Sequence, residues 1–320
     1  MSDMSATLPS RDRPRTDGLP RLSPVGFGAF PLGGADGTVA VERARACLNA
    51  ARDSGCTWVD TGEVYHGAAN EDLLGRAGLQ GLAVATKVAP RPAGSGLRPH
   101  EIRAACQNSL RRLRVNVIDW YYLHWPDGSG IPVEDSWGAM RALVDEGWVR
   151  HAGLSNFDIP LMQRCQAAGT IDVVQVGLSL VDHHWGGEVA RWCGGHGIAV
   201  TLYEPLANGL LSGAVTAGTD LRAWAGRDVQ TWPFFQRVLT GEALARSMAC
   251  LEALHRWSAV LERPVAQVAL AWGLAQPGVT SVLPGSRDPE HIRLNAHAAA
   301  FTLPSEVLAA LDRVAGCPAT

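Results

Sequence analysis

The chain of 320 residues lacks paired cysteines. Its seven cysteines (Cys47, Cys56, Cys106, Cys165, Cys193, Cys250 and Cys317) are scattered, odd in number and contain no C-x-x-C. That excludes a disulfide framework and a structural zinc site and leaves buried thiols as the expectation. An excess of charge is also missing. A formal net charge of −3 offers no basic face to nucleic acid and no polybasic anchor to a membrane. No apolar run approaches the ~20 residues that span a bilayer. Residues 1–19, polar and containing Pro, Gly, Ser and Arg, have no signal-peptide core and read as a disordered tail. The expectation is a cytoplasmic protein with neither a nucleic-acid nor a membrane partner. No G-x-G-x-x-G follows the first strand, because Gly26, Gly28, Gly33 and Gly34 have the wrong spacing, which counts against a doubly wound dinucleotide fold. The neighbouring His183 and His184 have no carboxylate or cysteine at ligand spacing, so no metal is expected.

What is present is an alternation. A hydrophobic fraction of 47% against 18% charged residues supplies a substantial core. Short apolar runs at 22–30, 57–60, 82–88, 117–124, 149–154, 173–176, 198–203 and 279–283 read as strands. Helical patterns lie between them, at 39–54, 70–77, 99–113, 133–146, from the Asp158 cap to Gly169, at 187–196, 241–261 and 264–276, from Asp288-Pro289 onward, and at 305–314. A long irregular stretch covers roughly 204–240, and loops of that length are usually functional or mobile. Eight strand–helix units over 20–320, with connections too short for a second domain, predict an α/β fold: a single-domain (β/α)8 TIM barrel.

In such a barrel the C-terminal strand ends form the active face. The residues falling there are Asp60, with Tyr65 just beyond, then Lys87, His124, Ser155, Asn156, Gln175 and Tyr203. Each alone has an ordinary reading as a cap, rim or packing residue. Four ionisable groups on three successive strand ends are hard to explain as packing. A free tyrosine has a pKa near ~10, and a neighbouring ammonium favours its phenolate. The expectation is therefore that Lys87, held by Asp60, lowers the Tyr65 pKa while His124 addresses the same substrate oxygen. Such a site polarises a carbonyl and passes a proton to or from its oxygen. With no obvious nucleophile, the other half of the reaction must come from a cofactor. At the far end of the chain, Leu283-Pro284-Gly285-Ser286-Arg287-Asp288-Pro289 sets a Gly-Ser-Arg turn before a helix start, which is an anion site if it is more than a capped loop.

The segments WVDTGEVYHGAANEDLLGRA, VATKV, SLRRLRVNVIDWYYLHWPD, GLSNFD, YEPLANGLLSG and VALAWGLAQPGVTSVLPGSR, in this order, resemble the aldo-keto reductase family over nearly everything after residue 20. The resemblance implies a (β/α)8 barrel, NADPH in preference to NADH, and reduction of a small-molecule aldehyde or ketone. It maps a catalytic tetrad onto Asp60, Tyr65, Lys87 and His124, with Tyr65 as general acid. It implies that Ser155, Asn156 and Gln175 hold the nicotinamide carboxamide, that Tyr203 stacks on the ring, and that Leu206 and Gly209 to Leu211 follow the pyrophosphate. Gly285, Ser286 and Arg287 would meet the 2′-phosphate and Asn295 the adenine. Three positions depart from the common pattern: Glu204 for a small residue near the pyrophosphate, Leu294 before Asn295, and Ala29 after the first strand. The plug hairpin common in the family is not visible in the Pro-rich tail. Phe30, Trp125 and Trp232 are expected to wall the substrate pocket, with Trp185 and Trp224 as further candidates from loops. Two other functions fit the same scaffold: a cofactor-binding regulatory subunit with little turnover, and a tailoring reductase acting on a sugar or natural-product intermediate. The sequence sets no oligomeric state.

Overall fold

The computed structural model describes residues 22–33, 41–90, 97–216, 218–226 and 232–317. Eight strands pair in sequence order, each parallel to the next: β1 Phe27–Gly28, β2 Trp58–Asp60, β3 Ala83–Val88, β4 Ile118–Leu123, β5 Val149–Ser155, β6 Val173–Gly177, β7 Ala199–Tyr203 and β8 Ser281–Leu283. Parallel bridges from Val25 to Val282 and from Gly28 to Gly285 bring the last strand back to the first and close the sheet. The expected barrel is the barrel observed. The tail over 1–19 falls outside the described residues.

Strand periodicity decides what faces the barrel axis. In β2 the pair Trp58 and Asp60 points inward, while Val59 packs outward under the Val41–Asp53 helix. In β3 Ala85 and Lys87 share the inner face; in β4 Trp120 and Tyr122 do, with His124 the next residue of that face. Val173 and Gln175 continue the series in β6. The barrel interior below the mouth is thus filled by Trp58, Ala85, Tyr122, Val173 and Ala199, with Trp120 one step deeper on β4. Two residues further along each strand, at the C-terminal mouth, the side chains become Asp60, Lys87, His124, Gln175 and Thr201. The apolar layer is the floor on which the polar one stands.

Most helices match their sequence patterns to within a residue or two. Pro99–Leu113 and Gly241–Leu261 do so at both ends. Asp158 accepts from the Leu161 amide at 2.9 Å with Pro160 in the first turn, so that helix starts at its cap. Two differences have physical reasons. The helix His184–Gly195 begins before the expected 187. The Gly186-Gly187 pair looks like a break, yet Gly186 is a close-approach site: a Cβ there would lie 2.2 Å from the Gly177 carbonyl oxygen. The stretch 204–240 is not irregular throughout. It holds a 3-10 turn at Ala207–Gly209 and helices at Leu221–Ala225 and Pro233–Val238, too short to show a period but anchored by buried Leu221, Phe234, Phe235 and Val238. Among the described residues, no helix is long and apolar enough to cross a membrane.

Candidate active site

The Lys87 ammonium is the centre of the mouth layer. Its side chain is fully buried, and an ammonium there must be paired. It has three donors and meets three acceptors: Asp60 Oδ1, the Thr61 carbonyl at 2.7 Å and the Tyr65 hydroxyl at 3.1 Å. The second oxygen of Asp60 accepts from Gln175 Nε2 at 2.9 Å. Of the 28 basic residues in the chain, Lys87 is the one lysine. A point charge with three rotatable donors suits acceptors spread around it; the flat guanidinium fork of arginine does not.

Tyr65 is brought to Lys87 by an unusual turn. The three residues after it, His66, Gly67 and Ala68, all adopt left-handed backbone, with φ of 51°, 65° and 74°. Two of these have a Cβ, so the turn carries strain that its surroundings must sustain. Part of the support is His66, whose Nε2 lies 3.0 Å from the Phe30 carbonyl oxygen. Aromatic rings frame the opening. Phe30 meets Tyr65 edge-on at 5.0 Å between centroids, Tyr65 meets His124 at 5.8 Å, and His124 lies 4.4 Å from Trp125. Phe30 and Trp125 are exposed, as pocket walls would be. Trp232 and Trp224 are exposed to the same degree and also pack edge-on against Phe235, and Trp185 is exposed at the start of its helix. Among the described residues no group of three or more His, Cys, Asp or Glu side chains gathers at metal-binding range; His183 Nε2 is 2.7 Å from the Ala315 carbonyl oxygen.

The expected cofactor residues form two groups. In the first, Asn156 Nδ2 donates to the His124 carbonyl at 2.9 Å and to Ser155 Oγ at 3.1 Å, while its Oδ1 accepts from the Tyr203 hydroxyl at 2.7 Å. Asn156 itself sits at φ 62°, which asparagine tolerates better than most residues. The Tyr203 ring lies against Gly177, where a Cβ would come within 2.9 Å of it. Gln175 belongs as much to Asp60 as to this group. In the second, Ser286 and Arg287 stand before the Pro289–Ala296 helix, which carries buried Asn295 and exposed Leu294. Arg287 is exposed, its carbonyl accepts from Arg43 at 3.2 Å, and Ser286 Oγ accepts from the Asp288 amide at 3.0 Å. Gly285 lies against Gly28 and Pro31, with no room for a Cβ. Between the groups runs the turn after β7. Its amides at Ala207, Gly209, Leu210 and Leu211 are spent on carbonyls within the turn, and the Leu211 side chain is fully buried. That turn can offer a ligand surface and shape, not those four amides. A nicotinamide dinucleotide fits this donor set at both ends: amide and phenol groups beside the Asp60–Lys87–Tyr65 cluster, and an exposed arginine with serine at the other end.

Burial governs the protonation states. It pushes the Tyr65 phenol above its ordinary value, outweighing the Lys87 ammonium that pulls it down; Asp60 and Glu204 push it up as well. The expectation of a lowered Tyr65 pKa is corrected here, because the hydroxyl sits inside the mouth and desolvation is the larger effect. For Lys87, burial works against the charge, but Asp60 and Tyr65 hold its pKa above that of a free lysine. Asp60 is itself raised by burial, against the pull of Lys87 and Gln175. At neutral pH Tyr65 is therefore a protonated phenol touching an ammonium.

A closed parallel barrel with a buried lysine–aspartate pair, a half-buried tyrosine on the lysine and a histidine at its C-terminal mouth defines a class: barrel oxidoreductases that act on a carbonyl oxygen. The comparisons with known proteins agree. The model of the Aldo/keto reductase family matches residues 24–315. The chain is 30% identical over 299 residues to the aldo-keto reductase YhdN of Bacillus subtilis, covering 89% of this chain and 87% of that one. It is 27% identical over 326 residues to the NADH-specific methylglyoxal reductase of Escherichia coli, covering 91% and 96%. The crystal structure of an aldo-keto reductase from Klebsiella pneumoniae in complex with NADPH matches with a TM-score of 0.70 at 29% identity, covering 93% of this chain and 92% of that one. The chain belongs to the aldo/keto reductase family, and is an oxidoreductase that exchanges hydride between NAD(P)H and a carbonyl carbon.

Proposed function

We propose that this protein reduces a small aldehyde or ketone with NADPH, Tyr65 giving the proton to the carbonyl oxygen. The observation that carries the assignment is the threefold pairing of Lys87 with Asp60, Thr61 and Tyr65. A bound reduced nicotinamide supplies the hydride. The chain's own groups do the rest. His124 and the Tyr65 hydroxyl flank the place of the carbonyl oxygen and polarise it. Tyr65 releases its proton as negative charge develops there, and the Lys87 ammonium stabilises the phenolate that remains. Asp60 keeps that ammonium charged. Phe30 and Trp125 shield the reacting carbon from water on the open side.

Arg287 and Ser286 favour the 2′-phosphate of NADPH, as a guanidinium and hydroxyl suit a phosphate. The relatives are divided, since the Klebsiella structure holds NADPH and the Escherichia coli enzyme is NADH-specific. The test is to mix purified protein with NADPH or NADH and a panel of aldehydes and ketones, following loss of the reduced nicotinamide absorbance. Turnover with NADPH and a higher KM for NADH is expected. Tyr65→Phe should lower kcat by about 10²–10⁴-fold with NADPH affinity unchanged. Full turnover in Tyr65→Phe would sink the mechanism, and NADPH binding with no turnover on any carbonyl would favour the regulatory reading.

A further inference from the structure

We propose that Thr61 and Asn70 are positioning residues for this reaction: their side-chain hydrogen bond latches the strained Tyr65 turn and keeps the Thr61 carbonyl on the Lys87 ammonium. The inference rests on the function proposed above and adds two residues outside the tetrad. Both are fully buried polar side chains. Thr61 Oγ1 donates to Asn70 Oδ1 at 2.6 Å, and Asn70 Nδ2 donates to the Ala29 carbonyl at 2.9 Å. Ala29 in turn donates its amide to the Asp60 carbonyl at 2.9 Å, and the Thr61 amide donates to Ala85 at 2.9 Å. The cycle ties the ends of β1 and β2 and the middle of β3 to the first turn of the Ala69–Ala77 helix.

The latch closes at the two places that matter. Residues 62–69 are the segment carrying Tyr65 and the three left-handed residues, and Thr61 and Asn70 stand immediately outside its ends. Strain of this kind persists only when neighbouring structure over-determines it. A bond between the ends of the segment does so directly. On its other side Thr61 presents its carbonyl to Lys87 at 2.7 Å. If the Thr61 peptide turns, one of the three ammonium donors is left without an acceptor in a fully buried place. The adjacent Glu71, also fully buried, fixes the next strand in a parallel way. It accepts from Thr86 Oγ1 at 2.6 Å and from Arg112 Nε at 2.6 Å.

Lys87 offers a direct readout because it is the one lysine in the chain. Protein labelled with ¹³C at lysine Cε gives one lysine signal, whose titration reports this ammonium alone. The titratable groups acting on it are Asp60 from β2 and Tyr65 from the turn; the Glu63 carboxylate accepts from the Ala89 amide, His124 lies against the Tyr65 ring, and Glu204 after β7 acts on Tyr65. The variant is Thr61→Val, which removes the hydroxyl and keeps the shape, with Thr61→Ser restoring the hydroxyl.

In Thr61→Val, kcat should fall by about ten- to a hundredfold, the size of a hydrogen bond to a charged group. The Lys87 signal should titrate at lower pH, and the alkaline limb of the kcat profile should move down with it. NADPH affinity should stay the same, and Thr61→Ser should return all three readouts to the wild-type values. A Thr61→Val protein that is less stable but keeps the Lys87 titration and kcat overturns the inference and makes the pair merely structural. If the wild type reduces no carbonyl with either cofactor, the function itself fails. If Tyr65→Phe is inactive while Thr61→Val is fully active, only the latch fails. Should Thr61→Val not fold, Asn70→Leu, which removes the acceptor of the Thr61 hydroxyl and keeps the side-chain volume, carries the same test from the other end of the bond: a lower kcat with a lower Lys87 titration supports the latch, and an unchanged kcat and Lys87 titration overturns it.

Discussion

Replacing Lys87 by methionine removes the ammonium and keeps most of the side-chain volume. Asp60 is only 2% exposed, so its carboxylate is left buried with the Gln175 bond as its remaining described partner. Breaking one side of a buried pair costs roughly 3–5 kcal/mol. The sign of the pH dependence follows from Asp60. Burial already raises its pKa against the pull of Lys87, and without the ammonium the rise is greater. A carboxyl whose folded pKa is raised contributes stability that is fully present below its unfolded value, near ~3.9, and is lost as pH rises through the folded value. Lys87→Met should therefore be far less stable than wild type at pH 8 and recover part of the loss toward pH 4. Adding Asp60→Asn should recover most of it at pH 8, since no buried charge then remains. Urea denaturation of wild type, single and double variants at both pH values measures this. A single variant as stable as wild type at pH 8, or one whose loss does not change with pH, would refute the claim that Asp60 and Lys87 stabilise each other as a charged pair.

Two further outcomes follow from the cofactor side. Glu204 is half-buried, with its carboxyl pushed above the usual value by burial against the pull of Asn208 and Arg237; if it borders the pyrophosphate, Glu204→Gln should tighten NADPH about fivefold at pH 8, the order of one repulsion of about 1 kcal/mol, and by less at lower pH, as fluorescence titration would show. Asn156 holds left-handed backbone, so Asn156→Ala should be less stable than Asn156→Gly by about 1–2 kcal/mol, and both should weaken cofactor binding because Tyr203 and the His124 carbonyl lose their shared partner.

The barrel was legible because eight apolar runs alternate with helical periods, and the polar cluster at its mouth because Asp60, Lys87 and His124 lie at the ends of those runs. Lys87 alone reads as a rim residue; its place inside an apolar strand and its being the one lysine of the chain are the signals that mark it for a paired, buried charge. The residues the sequence hid act through partners remote in the chain. Thr61 looked like any residue after a strand, and Asn70 like a helix cap, since nothing local says that one side chain will reach the other and then Ala29, 41 residues away. The helices within 204–240 were hidden for another reason. Five or six residues are too few to display a period of 3.6, and it is Phe234, Phe235 and Val238 meeting the core that makes one of them a helix.

The misjudged quantity, the direction of the Tyr65 pKa, sharpens the role of Lys87. An ammonium that lowered the phenol toward neutrality would leave part of the protein with phenolate before substrate arrived, and a phenolate has no proton to give. Burial prevents that by raising the pKa of the resting phenol. In the proposed reaction the ammonium then matters most after the proton has moved, when a full negative charge stands 3.1 Å from Lys87 Nζ instead of a neutral hydroxyl. An interaction that is weak in the resting state and strong as charge develops lowers the barrier; one equally strong in both does not. The same geometry serves alcohol oxidation less well near pH 7, because that direction needs the phenolate first and burial opposes it. Carbonyl reduction should therefore dominate at neutral pH, with oxidation rising toward alkaline pH, and initial rates in both directions across pH 6 to 10 decide it. Oxidation fastest at pH 6 would contradict the assignment of Tyr65 as the group that donates and recovers the proton.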